Sequence, residues 1–93
     1  MGTLEVLRKE YPGQMAWEKF ASFFEAELSS EMLGLQIDSD ICAVATCKIG
    51  DANRAAKWLQ TKIPALDGNS ALQVFTSEVE GRKIVRSLLM RLP

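Results

Sequence analysis

The stretch DSDICAVATCKIGDANRAAKWL, residues 38–59, decides the fold class. Its first half is an almost wholly apolar run beginning at Ile41, and Asp38 or Ser39 is placed to cap the free N–H groups of a helix that starts there. Gly50 is suited to end that helix, because glycine adopts the left-handed conformation without strain. A buried strand is the competing interpretation. Helical patterns on both sides favour a central core helix in an all-α domain.

Downstream of this stretch, local signals predict three further helices. Asp51 opens the first, whose alanines permit close helix packing, and Pro64 forces its end because the residue before a proline disfavours the helical conformation. Ser70 and Gln73 have the spacing of a capping box, which predicts a short second helix. The third is preceded by the same spacing at Ser77 and is expected to bury one arc of apolar residues, namely Ile84, Val85, Leu88, Leu89 and Leu92.

Upstream, apolar residues recur at spacings of three and four from Gln14 to about Ser29, which predicts one amphipathic helix with an acidic outer side. Phe23 lies outside the row of apolar residues that forms the buried face of this helix. Its position indicates either a wide core face or a contact with a partner. A short helix over 3–10 is expected before it. Ser29-Ser30 can start another helix after it, but Gly34 leaves residues 30–37 only loosely assigned. The buried face of the helix from Gln14 consists of Trp17, Phe20, Ala21, Phe24 and Leu28.

These elements predict an all-α fold, a compact bundle of about five to six short helices in a single domain. Residues 1–40 form an N-terminal helical segment, a short arm followed by the acidic amphipathic helix. Residues 41–93 form a second helical region packed with it as one domain. A chain of 93 residues has room for one hydrophobic core.

Composition excludes several classes of function. The chain has no histidine, which removes His-based catalytic triads and His metal ligands, and no spacing places a nucleophile beside a base. We therefore expect no enzyme activity, no metal and no cofactor. No apolar run is long enough for a membrane span and the N-terminus lacks the apolar block of a signal peptide, so a cytoplasmic protein is expected.

The cysteines and the charge distribution are the remaining compositional features. Cys42 and Cys47 are both expected to be small buried apolar residues, because a spacing of five points them in different directions on a helix. Residues 1–50 hold eight acids and four bases, whereas residues 51–93 hold four acids and seven bases. Two explanations stay open: a surface for a charged partner, or pairing of the acidic half with the basic half inside the molecule.

A set of motifs in residues 41–92 resembles, in order and spacing, the toxin-binding domain of the MbcA/ParS/Xre antitoxin family. The motifs are Gly50-Asp51, Ala55-x-x-Trp58-Leu59, Leu66-x-Gly68, Leu72-x-x-Phe75 and Gly81-x-x-x-Val85. Each position has a packing role: Ala55 allows close approach of helices, Trp58 fills the core, and Gly68 permits a turn. Leu72 and Phe75 are expected to face inward.

The resemblance implies a noncatalytic antitoxin that binds a RES-domain toxin, an enzyme that degrades NAD, and covers its active site with the C-terminal region. Cations on the last helix are expected to be unpaired and to meet carboxylates of the toxin, and Met90 to fill an apolar hollow. The residues predicted to contact the toxin are Arg82, Lys83, Arg86, Met90, Arg91, Leu92 and Pro93.

Two other functions remain as alternatives. Many relatives carry a DNA-binding domain of about sixty residues, but only about forty precede the matching region here and they are acidic, so DNA binding by this chain alone is not expected. A small DNA-associated regulator is nevertheless one alternative. The other is an orphan scaffold that forms a homodimer through exposed Phe23, or through Leu4 and Leu7.

Overall fold

The chain was analysed as a computed structural model, which describes residues 2–92. Within these residues it forms seven α-helices, one 3-10 turn and no strand, apart from an isolated antiparallel bridge between Ile63 and Asn69. The all-α prediction is confirmed. The helices are α1 (Thr3–Lys9), α2 (Gln14–Ala21), α3 (Ser30–Leu33), α4 (Ser39–Ile49), α5 (Ala52–Gln60), α6 (Ala71–Ser77) and α7 (Gly81–Arg91), with the 3-10 turn at Pro64–Leu66.

The last helix, α7, is the centre of the packing. It contacts α1, α2, α4 and α6, while α4 packs along α5 and α5 against α3 and α6. Its buried apolar side chains include the predicted Ile84, Val85, Leu88 and Leu89, which meet Ile41, Val44 and Leu59 in one core. The N-terminal helices therefore belong to the same domain as the rest of the chain.

Several local predictions are confirmed. The Asp51 side chain accepts a hydrogen bond from the Arg54 backbone N–H at 2.9 Å and so caps α5. Ser70 and Gln73 form the complete capping box of α6, with hydrogen bonds of 3.0 and 2.9 Å. Gly50 ends α4 in the left-handed conformation, at φ 95°.

The predicted helix from Gln14 to Ser29 is wrong beyond Ala21. After α2 the chain makes two i→i+3 turns, in which Phe23 N–H bonds to Phe20 and Phe24 N–H to Ala21. These turns return Phe24 to the side of Phe20, with ring centroids 4.9 Å apart, while Phe23 is 77% exposed. The apolar residues therefore keep their spacing of three and four positions beyond Ala21, although the helix ends there. Between Glu25 and Leu28 the exposed acids alternate with half-buried apolar residues, which is the period of an extended segment.

The helix start at Ser29-Ser30 is confirmed: the four-residue α3 begins there, and the Ser29 hydroxyl accepts a hydrogen bond from the Met32 backbone N–H at 3.2 Å. Two smaller predictions are wrong. Ser77 does not cap α7, since the N-cap is Glu80 at φ 56° without a side-chain cap bond. Helix α5 ends at Gln60, earlier than Pro64 requires, and Thr61 follows it in an extended conformation.

Candidate partner-binding surface

The cations of α7 were predicted to be unpaired, and this prediction is wrong. Arg82 forms a two-point ion pair with Asp38, at the N-terminus of α4. Lys83 pairs with Glu80, one turn earlier in the chain. Arg91 lies 2.9 Å from Glu10, beyond the end of α1. Arg82 and Arg91 find their carboxylates because α7 packs between α4 and the N-terminal helices, whereas the partner of Lys83 is the N-cap residue of α7 itself.

Arg86 is the most internal of these cations. It is 7% exposed, although the polar pattern of α7 places it away from the apolar arc. Its Nη1 donates to the side-chain amide oxygen Oε1 of Gln14 at 2.7 Å and to the Tyr11 hydroxyl at 3.1 Å. Its Nη2 lies 3.6 Å from a carboxylate oxygen of both Asp38 and Asp40. Arg86 therefore joins α2 to α4 and cannot act as a free surface cation.

Trp17 completes this polar centre from the side of α2. It is fully buried, its ring lies under the Arg86 guanidinium at 5.2 Å, and its Nε1 donates to Asp40 at 2.7 Å. Asp40 also accepts from the backbone N–H of Ile41 at 2.8 Å. Its carboxylate lies in the first turn of α4, where the helix dipole favours negative charge.

The uneven charge of the two halves is explained in part by these pairs. Arg82, Arg86 and Arg91 come from the basic half, and their partners Asp38, Asp40 and Glu10 come from the acidic half. Intramolecular pairing, one of the two explanations left open by the sequence, is correct for these residues.

The end of α7 is anchored to the helices around it. Lys48, in α4, donates a hydrogen bond to the Leu92 carbonyl at 3.0 Å. Its ammonium lies 5.6 Å from the Phe20 ring centroid and 5.4 Å from that of Phe24. Met90 and Leu92 are half-buried against the core. Pro93, also predicted to contact the toxin, lies outside the described residues.

The predicted contact residues are thus divided between the two ends of α7. Arg82 and Lys83 occupy its first turn, and Met90, Arg91 and Leu92 its last turn and C-cap. With a rise of 1.5 Å per residue, the two groups lie about 13 Å apart along the helix. Arg86 lies between them but is buried, so the structure does not bring the predicted set together as one exposed patch.

A groove opens beside the first turn of α7, where this helix meets the link between α1 and α2. Its volume is about 580 Å³. The groove is not apparent from the sequence, because it is formed by residues more than sixty positions apart. The lining residues are Arg8, Tyr11, Gly13, Gln14, Glu80, Arg82, Lys83 and Arg86.

Most of the motif residues have packing positions. Ala55, Leu59, Leu66 and Val85 are fully buried, and Gly68 has the positive φ of 81° that its turn requires. Gly81 is buried where α7 crosses α6, and a Cβ atom there would collide with the Val74 carbonyl.

Other motif side chains lie at the edge of the core. Trp58 is only half-buried. The position at the centre of the core that was predicted for Trp58 is taken by Trp17 instead. Leu72 and Phe75 are half-buried as well, and Phe75 lies under the Arg82 guanidinium at 5.6 Å. The fully buried residues of α6 are instead Ala71 and Val74.

The two cysteines differ in environment. Cys42 is buried as predicted, and burial raises the pKa of its thiol, with smaller contributions from the charges of Asp40 and Asp38. Cys47 was also predicted to be buried, but it is exposed beside the Glu25 carbonyl. It faces the extended segment after α2, which a continuous helix would have replaced.

Among residues 2–92, four large apolar side chains are exposed, namely Met15, Phe23, Leu33 and Val79. Phe23, one of the residues predicted to form a homodimer, is exposed as predicted. Leu7 is buried and Leu4 half-buried against the core, so the expectation that these two are exposed is wrong.

The described helices include none that is long and apolar enough to span a membrane. Residues 2–92 also contain no cluster of three or more side chains suited to hold a metal ion.

The described residues thus form a small helical domain with several large apolar side chains on its surface. Comparison with protein families specifies the class: residues 43–92 match the family model of the antitoxin Xre/MbcA/ParS C-terminal toxin-binding domain. The match covers more than half of the chain, from α4 to the C-cap of α7, and the chain belongs to this antitoxin family. No curated protein and no solved structure shows significant similarity to it.

Proposed function

We propose that this antitoxin neutralises a RES-type toxin, an enzyme that degrades NAD, by covering its active site with the end of α7. The observation that carries the proposal is the family match over residues 43–92, which includes all of α7. The role is noncatalytic, since binding alone blocks an active site. The chain acts in the cytoplasm, where its target consumes NAD.

The exposure of the side chains on α7 supports a contact at its two ends. Arg82, Lys83 and Arg91 keep 56%, 49% and 44% of their side-chain surface exposed. Exposed ion pairs contribute only about 0–1 kcal/mol to stability, so carboxylates of a toxin can replace the internal partners at little cost. Arg86 is left out of the proposed contact because its replacement would disturb the core.

The anchor at Lys48 supports the same proposal. It holds the Leu92 carbonyl and thereby fixes the C-cap of α7. A preorganised segment loses less conformational freedom on binding than a flexible one. The last turn of α7 is therefore suited to contact an active-site cleft in one orientation.

Charge reversal tests this proposal without disturbing the core. Arg91→Glu is expected to reduce neutralisation of a RES-domain toxin from the same host, and Arg82→Glu with Lys83→Glu tests the other end of the helix. The matched control is Arg54→Glu with Lys57→Glu on α5, where both side chains are exposed. Growth and NAD content of cells that express the toxin are the readouts. Full neutralisation by both charge-reversal variants would place the contact elsewhere.

A homodimer is the second candidate, favoured by the exposure of Phe23 and Met15, at 77% and 84%. Large apolar side chains with this exposure are typical of interaction sites when they cluster. Sedimentation of the wild-type chain and of Phe23→Ser tests this directly. A dimer that dissociates in the variant would support self-association through Phe23, and a wild-type monomer would exclude it.

A further inference from the structure

The segment between α2 and α3, residues 23–28, leaves most of its backbone without hydrogen-bond partners. From Glu25 to Leu28, no backbone N–H donates to another residue within 2–92. Of the four carbonyls in the same stretch, only that of Glu25 has a partner in the described chain, the Cys47 thiol at 3.5 Å. Phe24 and Leu28 pack against the core and fix the segment on the molecule. An extended backbone with unused donors and acceptors is open to pairing with another chain.

The side chains that this segment exposes are one aromatic ring and two carboxylates. Phe23 is 77% exposed, and Glu25 and Glu27 are exposed as well. The ion pairs formed within residues 2–92 include neither glutamate. Residues 23–28 therefore combine an apolar side chain and two unpaired negative charges with a backbone that is free to pair.

The last turn of α4 holds this segment beside the end of α7. Cys47 contacts the Glu25 carbonyl, and its neighbour Lys48 donates to the Leu92 carbonyl at 3.0 Å. The Lys48 ammonium also lies 5.4 Å from the centroid of the Phe24 ring. Leu92 and Phe24 are thus both in contact with one ammonium group. Residues 23–28 are therefore surface neighbours of the helix end that we propose to cover the toxin's active site.

From this placement we infer that the toxin contact at the end of α7 continues over residues 23–28, where Glu25 and Glu27 pair with cations of the toxin. The inference rests on the proposed function. An enzyme that degrades NAD binds a substrate with two phosphate groups, and arginine and lysine are the side chains that bind phosphate. The cleft that α7 covers is therefore cationic, and exposed carboxylates beside α7 are complementary to it. Phe23 supplies an apolar side chain next to these charges.

A second copy of the chain fits this segment less well than a cationic partner. Two copies paired antiparallel through residues 25–28, with their exposed side chains on one face, bring glutamates of the two chains opposite each other. Like charges directly opposite on paired strands are destabilising. The segment also lies upstream of residues 43–92, so the inferred contact reaches beyond the region that matches the antitoxin family.

The affinity of the purified chain for the host's RES-domain toxin tests the inference, with inhibition of NAD consumption as a second readout. Glu25→Gln with Glu27→Gln is expected to weaken binding by about fivefold at low ionic strength, mainly through slower association. The difference should shrink as salt is added. The matched control is Glu18→Gln with Asp67→Asn, which removes two exposed carboxylates outside the segment and is expected to leave the affinity unchanged.

Amide hydrogen exchange tests the same contact without a substitution. The N–H groups of residues 25–28 are unbonded in the free chain and should exchange rapidly there. In the complex with the toxin we expect them to exchange at least about tenfold more slowly. The N–H groups of Ala52 and Asn53, which also lack a partner among the described residues at the start of α5, are the control and should keep their rate.

The outcomes separate this inference from the proposed function. A wild-type chain that does not inhibit the toxin refutes the proposed function, and the inference with it. Inhibition by the wild type with unchanged affinity in the double glutamate variant overturns the inference alone, as does equal weakening in the control or absence of protection at residues 25–28 in the complex. A homodimer that tightens in the double variant, measured by sedimentation, assigns the segment to self-association and also overturns it. The melting temperature of each variant checks that it is folded.

Discussion

The guanidinium of Arg86 lies over the indole ring of Trp17, with its central carbon 5.2 Å from the ring centroid. Both side chains are buried, and both contact Asp40, at the N-terminus of α4. One charged residue of the last helix thus connects the acidic N-terminal segment to the region that matches the antitoxin family. The contact explains why residues before the matched region pack with it as one unit.

Replacement of Arg86 is predicted to destabilise the fold. Arg86→Met keeps the length of the side chain but removes the charge that faces Asp38 and Asp40 and leaves the Gln14 side-chain oxygen without its Arg86 donor, and loss of one member of a largely buried ion pair is costly. We expect the free energy of unfolding in urea to fall by about 2–3 kcal/mol. Arg54→Met, at an exposed position on α5, is expected to stay within about 0.5 kcal/mol of wild type. Equal stability of the two variants would contradict the internal role of Arg86.

Gly81→Ala is predicted to disturb the crossing of α6 and α7. A Cβ atom at Gly81 collides with the Val74 carbonyl, a backbone atom that cannot rotate away. Overpacking of this kind costs about 1–3 kcal/mol, measured as a fall in the free energy of unfolding. Gly34→Ala is the control, because its Cβ meets only ordinary contacts and its φ is −80°. A neutral effect of Gly81→Ala would mean that the helices cross less closely.

Lys48→Met is predicted to loosen the end of α7. The variant loses the hydrogen bond to the Leu92 carbonyl and the contacts of the ammonium with Phe20 and Phe24, together about 1 kcal/mol. We expect faster amide hydrogen exchange at residues 90–92 and unchanged exchange around Val85. Lys57→Met on α5 is the control and should leave amide exchange unchanged both at residues 90–92 and around Val85. Unchanged exchange at the chain end would show that Lys48 does not anchor it.

The two thiols are predicted to react at different rates. Cys47 is exposed, whereas Cys42 is buried and its raised pKa keeps it protonated. Treatment of the folded protein with iodoacetamide should therefore label Cys47 first, and label Cys42 only after unfolding. Peptide mass spectrometry locates the label. Labelling of both thiols at the same rate in the folded protein would contradict the burial of Cys42.

Acidic pH is predicted to remove the contribution of the ionised Glu80 side chain to the stability of the folded state. A hydrogen bond from Lys83, together with its charge, lowers the pKa of this carboxyl below its ordinary value. The ionised form therefore stabilises the folded state above the unfolded-state pKa, and this contribution is lost as pH falls through the lowered folded-state pKa. The difference in melting temperature between wild type and Glu80→Gln should be largest near neutral pH and vanish in acid.

The parts of the fold that sequence predicts best are those determined by neighbouring residues. The caps at Asp51 and Ser70 and the left-handed end at Gly50 depend on side chains within three positions, so their patterns are diagnostic. The end of α2 could not be predicted in this way, because the turns at Phe23 and Phe24 keep the apolar spacing of a helix. The alternation from Glu25 to Leu28 was the available sign of an extended segment.

The candidate site was harder to predict because its contacts are distant in sequence. Arg86 was expected to be exposed on the basis of its polarity, and only the packing of α2 and α4 provides the partners that make its burial favourable. The groove likewise joins Arg8 and Tyr11 to Arg82 and Lys83 across more than seventy positions. Charge asymmetry between the halves indicated such pairing but did not identify the pairs.

The central claim, neutralisation of a RES-type toxin, is tested most directly by measuring NAD in cells. The host's RES-domain toxin is expressed from one promoter and this chain from another, and intracellular NAD is measured after induction. We predict that NAD falls when the toxin is expressed alone and remains at its uninduced level when the chain is co-expressed. A fall in NAD to the same low level with both proteins expressed and folded would contradict the account.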